Sequence, residues 1–305
     1  MTLQVEIDVP VSASVTDQVA YIKRAEELGF SGVALGETLE SGHDLFVTMA
    51  LAARATDRIR MYSAVANPVT RHPLVLANLI RSLSELAPGR VGLGLGLGSS
   101  GLALTGNRAA KLNELRLAIT SIRDHLGTSG MPSPPILVGA SGPRMLGLAG
   151  ELADEVLLEI GVDKQARGVA LEHVASGAER SSRTVGDVAL TDYVLLSVSD
   201  DPEKAMNAAL PWLEYFLRFG TYRLALDMHN IALPVDTLGV AFSRGMLAHL
   251  AESLAIVGTP AHVAQRFAAL ETAGVSRICC MVPGGLKSHQ RTMELLARHV
   301  LPRLG

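Results

Sequence analysis

The sequence predicts one closed (β/α)8 barrel, a TIM barrel, spanning residues 1–305 as a single domain. Three observations carry this. Eight apolar runs of strand length recur along the chain, longer amphipathic segments separate them, and no Pro/Ser-rich linker or low-complexity tract divides the whole. Several runs are apolar without clean alternation, the pattern of strands covered on both faces. Strands that alternate with helices run parallel and are joined by right-handed crossovers. Eight such units favour a ring. An open doubly wound sheet is the alternative that periodicity leaves standing.

The strand runs are LQVEID, GVALGE, IRMYSAV, RVGLGLGLG, PILVGA, DEVLLEI, VALTDYVLLSV and SRICCMV. Between the first two, Val19, Ile22, Ala25 and Leu28 form a helical stripe over about Thr16 to Leu28 that stops at Gly29. A second helix runs from about Asp44 to Thr56, and a third begins at Pro73 and ends before Pro88-Gly89. Thr259 caps a later helix with Pro260 in its first position, and Val263, Phe267 and Leu270 mark its buried side before Gly274. Residues 218–253 break the repeat between the seventh and eighth runs. They carry Tyr222, Met228, His229, Pro234, Phe242 and Arg244. In a barrel this connection leaves the face where active sites lie. It reads either as a lid over a substrate pocket or as a packing helix pair.

Composition narrows the class. Apolar residues make up 48% of the chain, enough for a large core, and the net charge of −3 gives no electrostatic attraction to nucleic acid or an anionic membrane. No uninterrupted apolar stretch is long enough to span a bilayer, and the opening MTLQVEIDVP lacks the layout of a secretory signal. The only cysteines, Cys279 and Cys280, are adjacent in a strand run and so point to opposite faces. They read as reduced core residues of a cytoplasmic protein.

The candidate site residues cluster at strand ends. In GLGLGLG the glycines alternate strictly, so the spacing is wrong for a dinucleotide fingerprint. Gly92 and Gly94 read as close packing inside the barrel, whereas Gly98, Ser99 and Ser100 fall at the carboxyl end and suit a ligand. Asn67-Pro68 signals a turn before the third helix. Taken alone, Arg71 and His72 after it read as a solvated pair. The loop Gly139, Ala140, Ser141, Gly142 leads into a helix at Pro143-Arg144, a place where exposed N–H groups can take a phosphate. Glu37 ends the second strand run as a proton carrier or a loop cap. The nine histidines show no metal-ligand spacing, so no metal is expected, and no GxSxG elbow is present.

Taken in order, AEELGFSGVALGE, LAARATDRIRMYSAVANPVTRHP, PGRVGLGLGLG, PPILVGASGPRMLGLAGELADEVLL and VGTPAHVAQRFAALETAGVSRI resemble the bacterial luciferase-like monooxygenase superfamily. AVANP, RHP and GPRM are most similar to its coenzyme F420-dependent branch, the methylenetetrahydromethanopterin reductase-like proteins. The resemblance implies a deazaflavin at the carboxyl face and a non-proline cis peptide at Ala64–Val65 behind its ring. It also implies cofactor contacts from Asn67, Gly98, Ser99 and Gly139 to Arg144, and a homodimer. The chain departs from the family at Glu37-Thr38, where Asp-His is common, and in the aromatic-free connection after the fourth strand.

The resulting expectation is an F420-dependent oxidoreductase moving a hydride between deazaflavin and a small organic substrate. Glu37, or His72 as second choice, handles the proton. The alternatives are an FMN-dependent monooxygenase supplied by a flavin reductase, and a ligand-binding barrel without catalysis.

Overall fold

The computed structural model describes residues 2–38, 42–102, 106–128, 132–231 and 242–304. Eight parallel strands close into a ring: β1 (Gln4–Asp8), β2 (Gly32–Leu35), β3 (Arg60–Ser63), β4 (Val91–Leu95), β5 (Ile136–Ala140), β6 (Glu155–Leu158), β7 (Ala189–Val198) and β9 (Arg277–Met281). The ring closes because β7 pairs with both β6 and β9, and β9 pairs with β1. The closed barrel is therefore the one the strand runs predict, and the open sheet is excluded.

Local sequence sets the helices where expected. Ser14 caps α1 (Val15–Glu27) by accepting from the Asp17 N–H at 3.1 Å. Asp44 caps α2 (Leu45–Ala55), accepting from Phe46 N at 2.9 Å. α3 (Pro73–Leu86) starts on its proline. α4 (Ser99–Leu102) is a single turn after β4, and α5 (Leu112–Gly127) completes that crossover. α6 (Pro143–Leu152) and α7 (Lys164–Glu179) follow β5 and β6.

The irregular connection holds α8 (Pro202–Arg218), α9 (Arg223–Met228) and α10 (Arg244–Leu254). Residues 232–241 of the expected lid, Pro234 among them, lie outside the described residues. One element went unforeseen. AIVG forms β8 (Ala255–Gly258), a ninth strand outside the ring, paired in parallel with the second half of β7 from Leu195↔Ala255 to Val198↔Gly258. Its four residues abut the Thr259-capped α11 (Pro260–Thr272), so they read as part of that helix's approach. α12 (Leu286–His299) closes the outer layer.

Strand alternation divides two cores. Val5, Ile7, Val33 and Cys280 face outward into the helix layer. Ala34, Tyr62, Leu137, Leu157 and Cys279 fill the barrel. Both cysteines are buried thiols on opposite faces, as read from their adjacency.

The amino-terminal floor is ionic. Arg60 bridges Glu155 at 2.6 Å and Glu6 at 3.2 Å, and Arg277 reaches Glu155 at 3.2 Å. Tyr62 donates to Glu6 at 2.7 Å and Thr191 to Glu155 at 2.6 Å. Gly32 leaves the room that Glu6 needs, because a Cβ there would lie 2.6 Å from its Oε1. Burial raises the Glu6 pKa against the pull of the two arginines. At Arg60 burial acts downward, but the carboxylates outweigh it and raise the pKa.

Candidate functional site

The carboxyl-terminal mouth is built around the end of β3. Its backbone does not turn away after Ser63. Ala64 N donates to Leu35 O at 2.8 Å, Ala66 N to Gly94 O at 2.9 Å, and Gly96 N to Ala66 O at 2.9 Å. The Ala64–Val65 peptide bond is cis, as the resemblance implied. The glycine repeat of β4 makes this lie possible. A Cβ at Gly94 would overlap the Ser63 carbonyl, and one at Gly96 would stand 2.5 Å from Val65 Cγ2. The packing role read for Gly92 and Gly94 is thus seen in the fold: a Cβ on Gly92 would come within 2.7 Å of Leu137. Val65 also stands 3.3 Å from the Cβ position of Gly139 on the next strand. The result is a glycine floor, Gly96 to Gly139, covered by one valine.

Beside it, Asn67 is 3% exposed and holds the following turn. Its Oδ1 accepts from Val69 N and Thr70 N, each at 3.0 Å, and its Nδ2 donates to Glu37 at 3.0 Å. Glu37 also accepts from Thr70 Oγ1 and forms an ion pair with Arg71. Arg71 continues to Asp44 at 2.9 Å and stacks over Phe46. The solvated Arg-His pair read from sequence is therefore corrected. Arg71 is a partly buried clamp on Glu37, and His72 is the exposed cap of α3, its Nδ1 accepting from Leu74 N at 3.2 Å. Gly98, with φ of +77°, carries the chain past Asn67, whose Cβ lies 3.2 Å from where a side chain would begin. Ser99 is exposed at the first residue of α4.

The β5 loop behaves as its sequence suggests. Gly142 is the N-cap of α6 and provides no side-chain cap, so the N–H groups of the first turn face outward. Ser141 and Gly142 are half-buried, and Pro143 and Arg144 are exposed.

A second set of groups escaped the sequence reading. Glu159 directly follows β6, and its N–H continues the ladder to Ala140 O at 3.0 Å. It shares interior parity with Leu157, and its Oε1 lies 3.3 Å from the Cβ position of Gly139, next to Val65. Burial pushes its pKa up to about 7. The phenols of Tyr193 on β7 and Tyr222 before α9 feel its charge, and both are raised, chiefly by burial. Asp8, closing β1, accepts from Val282 N at 3.0 Å and pairs with buried His289 at 3.2 Å. For His289, burial acts downward but Asp8 and the Gly285 carbonyl outweigh it, leaving the pKa raised. The available signal was parity: a carboxylate two residues beyond an interior strand position, at the carboxyl end of the run DEVLLEI. Among the described residues no cluster of three metal-ligating side chains occurs.

Comparison with known proteins agrees with this architecture. The luciferase-like monooxygenase family model matches residues 2–277. A 5,10-methylenetetrahydromethanopterin reductase of Methanolobus tindarius is 29% identical, with 92% of this chain and 94% of that protein covered. The corresponding Archaeoglobus fulgidus protein is 26% identical over 93% and 94%. Among solved structures, the coenzyme F420-dependent tetrahydromethanopterin reductase of Methanopyrus kandleri superposes with a TM-score of 0.79 at 22% identity, covering 99% of each chain. An FMN-bound type II Baeyer-Villiger monooxygenase component from Pseudomonas putida gives 0.71 at 18%, also over 99% of each. With nine-tenths of its length matched by the family model, this chain belongs to the luciferase-like monooxygenase family.

Proposed function

We propose that the protein is an oxidoreductase that uses coenzyme F420 to exchange a hydride with a small organic substrate. The observation that carries the reading is the small-residue surface at the mouth, where the Ala64–Val65 segment lies against Gly94, Gly96 and Gly139. A flat heterocycle needs such a surface, and a lining side chain at Gly96 or Gly139 would meet Val65. Relatives named as F420-dependent dehydrogenases, matched over about two thirds of this chain, support deazaflavin over FMN.

The residues fit the cofactor in two parts. Ala64, Val65, Asn67, Gly98 and Ser99 would hold the ring. Gly139 to Arg144 would hold the phosphate-bearing tail, where a ten-residue helix without a side-chain cap meets an exposed cationic side chain. When bound, a deazaflavin supplies a two-electron hydride carrier. The chain's own work is to fix orientation, exclude water and move the proton. Glu37 serves this by anchoring Asn67 and Arg71, and that anchoring role suits its bonding better than proton transfer. His72 sets the start of α3. The described parts of the irregular connection, residues 218–231 and 242–253, act as the pocket wall.

The same reading includes a homodimer. Val47 and Leu51 on α2 are 52% and 50% exposed, and Val75 on the neighbouring α3 is 50% exposed. This apolar face matches a second copy. No described helix is long and apolar enough to cross a membrane, and the buried thiols support a cytoplasmic setting.

The test is a fluorescence titration of the purified protein with F420 and, separately, FMN. Micromolar F420 binding without FMN binding is the expected result. FMN binding with oxygen-dependent product formation would establish the monooxygenase chemistry and call for a flavin reductase partner.

A further inference from the structure

Glu159 is placed unlike any other carboxylate at the mouth. Glu37 is engaged by Asn67, Thr70 and the Arg71 cation, and Asp8 by Val282 and His289. Among the described residues nothing donates to the Glu159 side chain, and no cation pairs with it. It nevertheless stands 3.3 Å from the Gly139 Cβ position, the same point from which Val65 Cγ1 stands 3.3 Å. One carboxyl oxygen therefore borders the Val65 side chain that fills the space over Gly139 and on which the cofactor ring would lie. It remains half-open to the mouth, so a ligand can reach it.

We propose that Glu159 is the proton-exchanging catalytic residue, acting on a neutral substrate with a polarised C=O or C=N bond. The inference rests on the deazaflavin reading. In the reducing direction the substrate carbon gains a hydride from reduced deazaflavin. The Glu159 O–H bond breaks, and the substrate oxygen or nitrogen gains that proton. In the oxidising direction the carboxylate removes the O–H or N–H proton as the C–H hydride leaves for oxidised deazaflavin. Both directions balance two electrons and one proton.

The surroundings favour this assignment. The groups facing Glu159 are Tyr193 from β7 and Tyr222 at the start of α9, with Asp8 from β1 beyond Tyr193. Asp8 is itself held by His289 of α12. Among the described residues no cation faces the carboxyl, so it is neither locked as a carboxylate nor complemented for an anionic substrate. Burial with no counter-charge leaves both protonation states accessible near neutrality, as acid–base work requires.

The test uses the full chain with Glu159→Gln and Glu159→Asp. In the protein alone, carbon-13 NMR of labelled glutamate should show one carboxyl titrating near 7 that vanishes in Glu159→Gln. A Glu159 signal titrating near its ordinary 4.5 overturns the inference. F420 affinity, read by fluorescence, should stay within about threefold in both variants. Turnover of reduced F420 is followed with cyclohexanone and 2-methyl-1-pyrroline. It should fall about a hundredfold or more in Glu159→Gln and recover partly in Glu159→Asp. The neutral-pH break of the rate profile should disappear in Glu159→Gln. Wild-type-like turnover and pH profile in Glu159→Gln overturn the inference and leave the F420 reading intact. Failure of the wild type to bind F420 overturns that reading instead. F420 binding without turnover of either compound overturns the substrate class.

Discussion

At the scale of single residues, the mouth groups work against stability. Glu159 has a folded pKa of about 7 against an ordinary 4.5, so the folded state binds its proton more tightly than the unfolded chain does. Stability then falls as pH rises from 4.5 toward 7 and stays lower above it. Glu159→Gln should therefore be more stable than wild type at pH 8, by at most about 3 kcal/mol, measured by urea unfolding. His289 adds a separate window. Its pKa is raised, so its pairing with Asp8 contributes fully below 6.5 and is lost as pH climbs through the higher folded value. His289→Asn should flatten that upper limb in the same experiment. Neither residue was legible in the sequence. Glu159 closes a short run whose neighbours dominate its reading, and Asp8 and His289 are 281 positions apart, joined only by the ring's closure.

Elements explain what was legible. Helix caps and strand runs are local, so α1, α2, α3 and α11 begin at or within a residue of where sidechain chemistry says they should. The glycine repeat was legible as close packing, but its partner was not, because β3 and β4 meet across a whole helix. That partnership gives two expectations. Gly94→Ala would drive a methyl into the Ser63 carbonyl, a backbone atom that cannot swing aside, and should cost about 3 kcal/mol in denaturant unfolding. Asn67→Ala strips the Val69 and Thr70 amides and Glu37 of one shared partner. It should destabilise by about 2 kcal/mol and weaken F420 binding, read by calorimetry and fluorescence. The role of Arg71 was misjudged for the same reason: its partner Glu37 is separated from it by α2.

At the scale of the whole molecule, the two ends of the barrel divide labour. The floor of Glu6, Arg60, Glu155 and Arg277 is closed and paired, whereas the mouth keeps, among the described residues, an acid without a counter-charge beside Gly139 and Val65. Arg60→Ala should cost about 3 kcal/mol in unfolding, since it leaves two buried carboxylates to share Arg277 alone, while leaving the pH profile of turnover unchanged. Light scattering should report a dimer, and the double change Val47→Glu with Leu51→Glu should yield a monomer. A dimer that survives the double change would move the interface elsewhere. The ring and its order were readable from eight runs, but β8 was not, and it has its own consequence. The strand that completes the barrel also grips the far end of the irregular segment, since β7 leads into α8 and takes β8 back alongside itself. The described helices between those two anchor points, α8, α9 and α10, hang from one seam, so changes of length there should leave the hoop of strands untouched. On the proposed reading of this stretch as pocket wall, selectivity for what is oxidised or reduced would drift by exchange of one cassette.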